Sequence, residues 1–253
     1  AGLSFTGKLP FLCSFGCFLT GRYDTIRLSV AYSQANVRLI GTHAGVGIGD
    51  DGHSQMGLED LALMRALPTM GVFQPMDATE TTHLMRYLVT EWKGPAYVRL
   101  TRQNLPDLFP SGARFEPLKL MRVLPAEKPR VSFIATGGVV GEAYEAAKAL
   151  SQKGISADVW NCHAIKPFDA KTMTEIARNS QLVVSVEDHT VLGGLGSCVA
   201  EAMAENGAKA RLQRIGVQDE FGESGDPAEL YDKFGLSARA ITERVSAFMR
   251  ELS

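Results

Sequence analysis

The feature that most narrows the choice of fold is a rhythm of strand-length apolar runs alternating with helix-length amphipathic stretches, broken once by a proline-dense segment. Between Leu105 and Arg130 stand Pro106, Pro110, Pro117, Pro125 and Pro129. Proline fixes φ and removes a backbone donor, so neither a helix interior nor a central strand accommodates that density. A domain boundary is expected there, dividing the 253 residues into 1–115 and 116–253. Such a length exceeds what one hydrophobic core usually spans.

In the first unit, Leu9 to Phe15 and Val37 to Gly41 have strand length, and a helix is expected from about Phe18 to Gln34. THAGVGIGDDGHSQ follows, too rich in glycine for any regular element. A helix with Leu58, Leu61, Ala62 and Met64 on one face ends at Pro68, and MGVFQP supplies a third strand. Asp77 with Glu80 three residues on has the capping-box spacing that opens a helix running to about Trp92. AYVRL, Ala96 to Leu100, is the fourth strand. The alternation restarts beyond Arg130 with VSFIATG, SADVWN, LVVSVE and ARLQRIG as strands. Helices are expected between them and at the carboxyl end, where Ser237 is the cap of the last one. The fold class is therefore α/β, two successive open sheets with flanking helices. Ligands of such sheets gather at the carboxyl ends of strands, where His43 and Arg102 lie.

Composition closes off other classes. Twenty-six Lys plus Arg against 28 Asp plus Glu leave a net charge of -2, which argues against nucleic acid as the main partner. The apolar runs fall well short of the ~20 residues that cross a bilayer. Four cysteines without a CxxC pair suit a reducing, cytoplasmic setting. Gly2, Leu3 and Phe5 resemble the tail of a helix with no cap before it, so further residues are expected upstream of Ala1.

GTHAGVGIGDDGHSQMGLEDLALMRALPTM, from Gly41 to Met70, closely resembles the pyrimidine-binding domain of transketolase, a thiamine-diphosphate enzyme. FLCSFGCFLTGRYDTIR, Phe11 to Arg27, is similar to the segment whose aromatic residue stacks on the cofactor's aminopyrimidine ring. YVRLTRQNLP, Tyr97 to Pro106, is similar to the arginine-bearing segment that grips the sugar phosphate. IKPFD at Ile165 to Asp169 and VEDHTVLGGLG at Val186 to Gly196 resemble the family's carboxyl-terminal domain. The likeness runs over nearly the whole chain.

That resemblance implies roles residue by residue. Phe18, with Phe15 beside it, matches the ring-stacking aromatic, although spacing alone would read both as core. His43 matches a histidine that hydrogen-bonds the donor sugar near the scissile carbon, and an imidazole suits a polyol because it both donates and accepts. Gln55 matches a position near the reaction centre. Asp51 matches the aspartate that holds an acceptor hydroxyl, whereas Asp50 reads as a solvated turn residue. Arg102 matches a phosphate-binding arginine, whose planar fork meets two oxygens at once. His163 and His189 read as structural, and the pairs Gly137–Gly138 and Gly193–Gly194 read as turns, since neither pair lies in a GxGxxG.

Two parts of a complete site are not found in the sequence. The GDG motif and following asparagine, which in the family hold Mg2+ against the diphosphate, are absent. The glutamate that protonates the aminopyrimidine would fall upstream of Ala1. The resemblance therefore implies transfer of a two-carbon ketol unit between sugar phosphates by one half of a site. The other half, with thiamine diphosphate and Mg2+, would come from a diphosphate-binding N-terminal section, in a dimer or heterotetramer, and this chain alone would be inactive. Two alternatives stay open: 1-deoxyxylulose-5-phosphate synthase or the pyrimidine-side subunit of a 2-oxoacid dehydrogenase, and a non-catalytic interaction module.

Overall fold

A computed structural model describes residues 1–252. The first half holds β1 (Phe11–Phe15), β2 (Arg38–Thr42), β3 (Gly71–Phe73) and β4 (Ala96–Arg99), with helices α1 (Gly2–Phe5), α2 (Gly16–Thr20), α3 (Tyr23–Ile26), α4 (Asp60–Ala66) and α5 (Ala78–Thr90). The second half holds β5 (Met121–Leu124), β6 (Val131–Ala135), β7 (Ala157–Asn161), β8 (Ala164–Lys166), β9 (Leu182–Thr190) and β10 (Arg211–Val217). Its helices are α6 (Val140–Gln152), α7 (Ala170–Arg178), α8 (Leu195–Glu205), α9 (Pro227–Lys233) and α10 (Ala238–Glu251).

The strands form two five-stranded sheets, ordered β1-β2-β4-β3-β8 and β10-β9-β6-β7-β5. Four strands of each run parallel, and each sheet ends in one antiparallel edge, β8 against β3 and β5 against β7. The parallel strands β6 and β4 are buried along their whole length, as strands covered by helices on both faces must be. Two alternating α/β sheets were expected; three details differ.

The helix expected from Phe18 to Gln34 is broken. It runs as α2 and α3 and then a π-helical turn at Arg27–Tyr32, with Gly21 and Arg22 between the first two. Gly21, which follows the last residue of α2, is a poor helix former and marks the break. The antiparallel edges β5 and β8 were not foreseen, and β8 matters more. It comes from the second half yet completes the sheet of the first, pairing Val72 with Lys166 and Phe73 with Ala164.

The two halves also share their interiors. Val46, Ile48, Met56 and Leu58 from the glycine-rich region pack in the same cluster as Phe133, Val186, Ile215 and Leu230. Leu61, Met64 and Val72 share a cluster with Ile165, Met173 and Leu195. Apolar burial therefore ties the loop to the second half, at about 25 cal/mol for each Å² removed from water. Local signals agree with this arrangement: Asp77 caps α5 by accepting the Glu80 amide at 2.7 Å, while the Glu80 carboxylate accepts the Met76 amide at 2.7 Å. Among the described residues no helix is long and apolar enough to cross a membrane.

A charged pair lies at the centre. Arg99, 1% exposed, donates through Nε to both oxygens of Asp60 at 3.0 and 2.9 Å, and Asp60 is 0% exposed. The Tyr97 hydroxyl donates to Asp60 Oδ2 at 2.6 Å. Arg99 Nη2 reaches two carbonyls, Gly57 O at 2.7 Å and Asp188 O at 2.8 Å, so one guanidinium joins β4, α4, the loop and β9. Burial opposes the charge on Arg99, but the Asp60 and Asp188 carboxylates outweigh it and raise its pKa. Removing one member leaves the other charged, buried and unpaired, which costs roughly 3–5 kcal/mol. Asp60→Ala is accordingly expected to lose about that much unfolding free energy in urea titration, and a loss below about 1 kcal/mol contradicts the account.

Candidate active-site wall

At the carboxyl end of β1 the chain turns directly into α2, with Phe15 in extended conformation as the residue before the helix. This turn places three rings in near-parallel register. Phe15 stacks on His43 with centroids 4.1 Å apart and planes 11° from parallel, and on Phe18 at 5.5 Å and 10°. Such offset stacking is the favoured geometry of aromatic pairs. Phe18 remains 51% exposed, with Phe11 at 45% and Leu12 at 49% on the neighbouring edge strand. The result is a flat apolar wall open to its surroundings.

His43 follows β2 and takes a left-handed backbone, φ 56°, an uncommon conformation for a residue with a side chain and one met mostly at constrained sites. Its Nδ1 lies 2.9 Å from Thr42 Oγ1. The loop then makes 3-10 turns over Val46–Asp51 and His53–Gln55. Gln55 is brought to the foot of the aromatic helix, where the Cys17 thiol donates to its backbone carbonyl at 3.1 Å. Asp51 meets Arg102 with 3.4 Å between Oδ2 and Nη1, and Arg102 also donates to Ile48 O at 3.3 Å. That ion pair is open to water, 51% and 36% exposed, so it holds little energy and yields readily to a stronger anion. A cavity of about 290 Å³ beside it is lined by Gly47, Ile48, Asp50, Arg102, Gln103 and Pro227.

The structure thus gathers His43, Gln55, Phe15 and Phe18 on one side of the loop, and Asp51 with Arg102 on the other. His163 and His189 lie elsewhere, both fully buried. His163 Nδ1 is 2.8 Å from Glu80 Oε1. Burial pushes His189 down to about 4, so the neutral ring donates from Nδ1 to Thr190 O at 2.6 Å and accepts the Ala62 amide at Nε2 at 3.3 Å.

Several residues behind the wall escaped sequence reasoning: Asp60, Tyr97 and Arg99, and also Asp188 and Tyr231. Their one sequence mark is a charge inside an otherwise apolar strand, as in AYVRL or LVVSVED, the usual sign of a buried pair. Cys17 was also missed, and a thiol contact to a carbonyl leaves no mark at all.

Residues 1–107 match the model of the transketolase pyrimidine binding domain, and residues 121–241 match that of the transketolase C-terminal domain. A Methanocaldococcus jannaschii protein assigned as a transketolase C-terminal section is 41% identical over 99% of this chain and 78% of its own length. A subunit of 6-deoxy-6-sulfo-D-fructose transketolase from a Clostridium species is 38% identical over 95% and 74%. A solved split-gene transketolase, described as an inactive β4 tetramer, superposes with a TM-score of 0.89 at 41% identity, covering 97% of this chain and 78% of that one. The chain spans only 38% of human transketolase-like protein 2, to which it is 37% identical. The fold and the matched family models define the pyrimidine-binding and carboxyl-terminal domains of a thiamine-diphosphate-dependent transferase. The chain belongs to the transketolase family.

One buried group behind the wall titrates near neutrality. Glu187 accepts the Leu195 and Gly196 amides at 2.7 and 2.8 Å, at the start of α8. Burial nonetheless pushes its carboxyl from 4.5 up to about 7, against the pull of those amides. A raised carboxyl pKa contributes stability that is present below the unfolded value and is lost as pH rises through the folded one. The unfolding free energy of the wild type relative to Glu187→Gln is therefore expected to fall by about 2–3 kcal/mol between pH 5 and pH 8. Urea titrations at intermediate pH values measure it, and a difference that does not change with pH refutes the assignment.

Proposed function

We propose that this chain supplies the ring-binding and substrate-binding wall of a transketolase site, comprising a pyrimidine-binding unit over residues 1–115 and a C-terminal unit over 116–253. Together with a diphosphate-binding N-terminal section it transfers a two-carbon ketol unit from a ketose phosphate to an aldose phosphate. The observation that carries this reading is the half-exposed Phe18 ring, stacked in series with Phe15 and His43, on the same loop cluster as the open Asp51–Arg102 pair.

The wall fits the flat end of thiamine diphosphate. Phe18 offers an accessible aromatic face, and Phe15 with His43 backs it from the interior side. Held there against Phe18, thiamine diphosphate would supply the electron sink that ketol transfer needs. The fit does not extend to a cation: among the described residues there is no cluster of three or more His, Cys, Asp or Glu able to hold a metal. Mg2+ and the diphosphate therefore belong on the N-terminal section in this reading.

This chain's own residues bind and orient. His43 presents its imidazole to the hydroxyls beside the carbon that changes bonds, donating or accepting as the sugar requires. Gln55 lines the same approach. Asp51 accepts a hydrogen bond from an acceptor hydroxyl. Arg102, released from its weak contact with Asp51, closes its fork on the sugar's terminal phosphate. The exposed Phe11, Leu12 and Phe18 give the apolar surface that an opposing wall would cover, as a dimer or heterotetramer requires. The tetramer of the split-gene relative supports self-association of such chains. Four unpaired cysteines are in keeping with a reducing, cytoplasmic setting.

The test is reconstitution. This chain, the N-terminal section, thiamine diphosphate and magnesium are combined with xylulose 5-phosphate and ribose 5-phosphate, and ketol transfer above that of either part alone is expected. Decarboxylation of pyruvate with no reaction of ketose phosphates would instead favour the synthase or dehydrogenase chemistry. Partner binding without cofactor binding would mark an interaction module. In the active complex Arg102→Ala is expected to raise KM for phosphorylated sugars by roughly 10- to 100-fold while kcat changes little, with Arg102→Lys restoring only part. Phe18→Ala should weaken thiamine diphosphate binding about tenfold, read by calorimetry, and unchanged affinity removes the ring from the cofactor site.

A further inference from the structure

The glycine-rich loop owes its shape to a carboxylate on the other half of the chain. Asp188, on β9 and 3% exposed, accepts the Val46 amide on Oδ1 at 2.8 Å and the Gly47 amide on Oδ2 at 3.3 Å. The Tyr231 hydroxyl, on α9, lies 3.1 Å from Asp188 Oδ2 and 2.9 Å from Gln103 Oε1. The carbonyl of Asp188 is held in turn by Arg99 Nη2 at 2.8 Å. The packing leaves no room for a side chain at the loop's glycines. A Cβ on Gly45, where φ is 91°, would overlap the Asp188 carboxylate, and one on Gly47 would overlap the Gln103 amide. Further along, a Cβ on Gly49 would press on Pro227 at 3.0 Å, and one on Gly52 would overlap the Ser224 hydroxyl.

Val46 and Gly47 stand between His43 and Asp51, and Gln103 is next to Arg102 in the chain. We propose that Asp188, supported by Tyr231, is a positioning residue for substrate: by clamping two successive amides it fixes the spacing of His43, Asp51 and Arg102, and so sets how well the sugar phosphate is held. This rests on the functional reading above only for the identity of the substrate. Phe18, the ring face offered to the cofactor, stands on α2, which makes no hydrogen bond to Asp188 among the described residues, so the clamp acts on sugar binding more than on ring binding. Hydrogen bonds to a buried charged acceptor are the strong ones, and an asparagine at this position keeps the shape while it turns one acceptor into a donor facing an N–H or the phenol.

The experiment uses Asp188→Asn and Tyr231→Phe in two arms. In the first, amide hydrogen exchange is followed on the isolated chain. Asp188→Asn is expected to speed exchange across Gly45–Gly52 by about tenfold or more while the strands β2 and β4 keep their protection, with a smaller effect for Tyr231→Phe. In the second, the reconstituted complex is assayed. KM for the ketose phosphate should rise about tenfold for Asp188→Asn and a few-fold for Tyr231→Phe, with thiamine diphosphate affinity within about twofold of wild type.

Unchanged loop exchange overturns the clamp. Equal losses in cofactor affinity, kcat and KM, or loss of protection throughout β2 and β4, overturn the positioning role in favour of a general structural one. A wild-type complex inactive on sugar phosphates would sink the functional reading, while the exchange arm still decides whether Asp188 holds the loop.

Discussion

The buried Arg99–Asp60 pair is the constraint on which the rest of the molecule depends. A guanidinium and a carboxylate that have both left water must satisfy each other closely, and the remaining donors of the arginine must find carbonyls. Arg99 meets this demand by reaching Asp60 on α4, Gly57 at the end of the loop and Asp188 on β9. The requirement therefore fixes β4, the segment from Gly57 to Asp60, and β9 against one another. Gly16, the first residue of the aromatic helix, sits against this centre, since a Cβ there would meet Tyr97 Oη at 3.2 Å and Asp60 Oδ2 at 3.3 Å. The wall that faces outward is thus referenced to a charge pair that faces inward.

The second consequence concerns the relation of the two halves. Each has its own parallel sheet, yet β8 leaves the second half to finish the first sheet, and the apolar residues of the loop bury into the second half's core. Loops carry function because a rigid scaffold holds them. Here the scaffold of the loop is largely the neighbouring half. A glycine-rich segment with little side-chain bulk of its own needs such external support, because glycine gives up more conformational freedom on ordering than any other residue.

Local features were legible from the residues. Asp77 with Glu80 marked the start of α5, Ser237 the start of α10, and the Gly-rich stretch a non-regular segment after a strand. The positions of His43 and Arg102 just past β2 and β4 followed from the same alternation. The break between α2 and α3 was less legible, because apolar spacing over Phe18 to Gln34 suits one helix as well as two. The edge strand β8 was not legible, since three residues carry no period and their partner lies in the other half. The Asp188 contacts were beyond reach for the same reason: Asp188 and Val46 are 142 residues apart, and nothing local to either announces the other.

What the sequence by itself determined is the kind of chain this is: alternating α/β elements in two runs, a proline-dense crossing between them, and motifs long and ordered enough to establish a family likeness. Periodicity, capping and turn chemistry act over a few residues, and they operate wherever the segment finds itself. Only the tertiary structure decided which edge β8 would join, how the three rings would align, and what would hold a glycine-rich loop in one shape. Those outcomes depend on burying charge and apolar surface between distant segments, an energy that exists only once the segments have met.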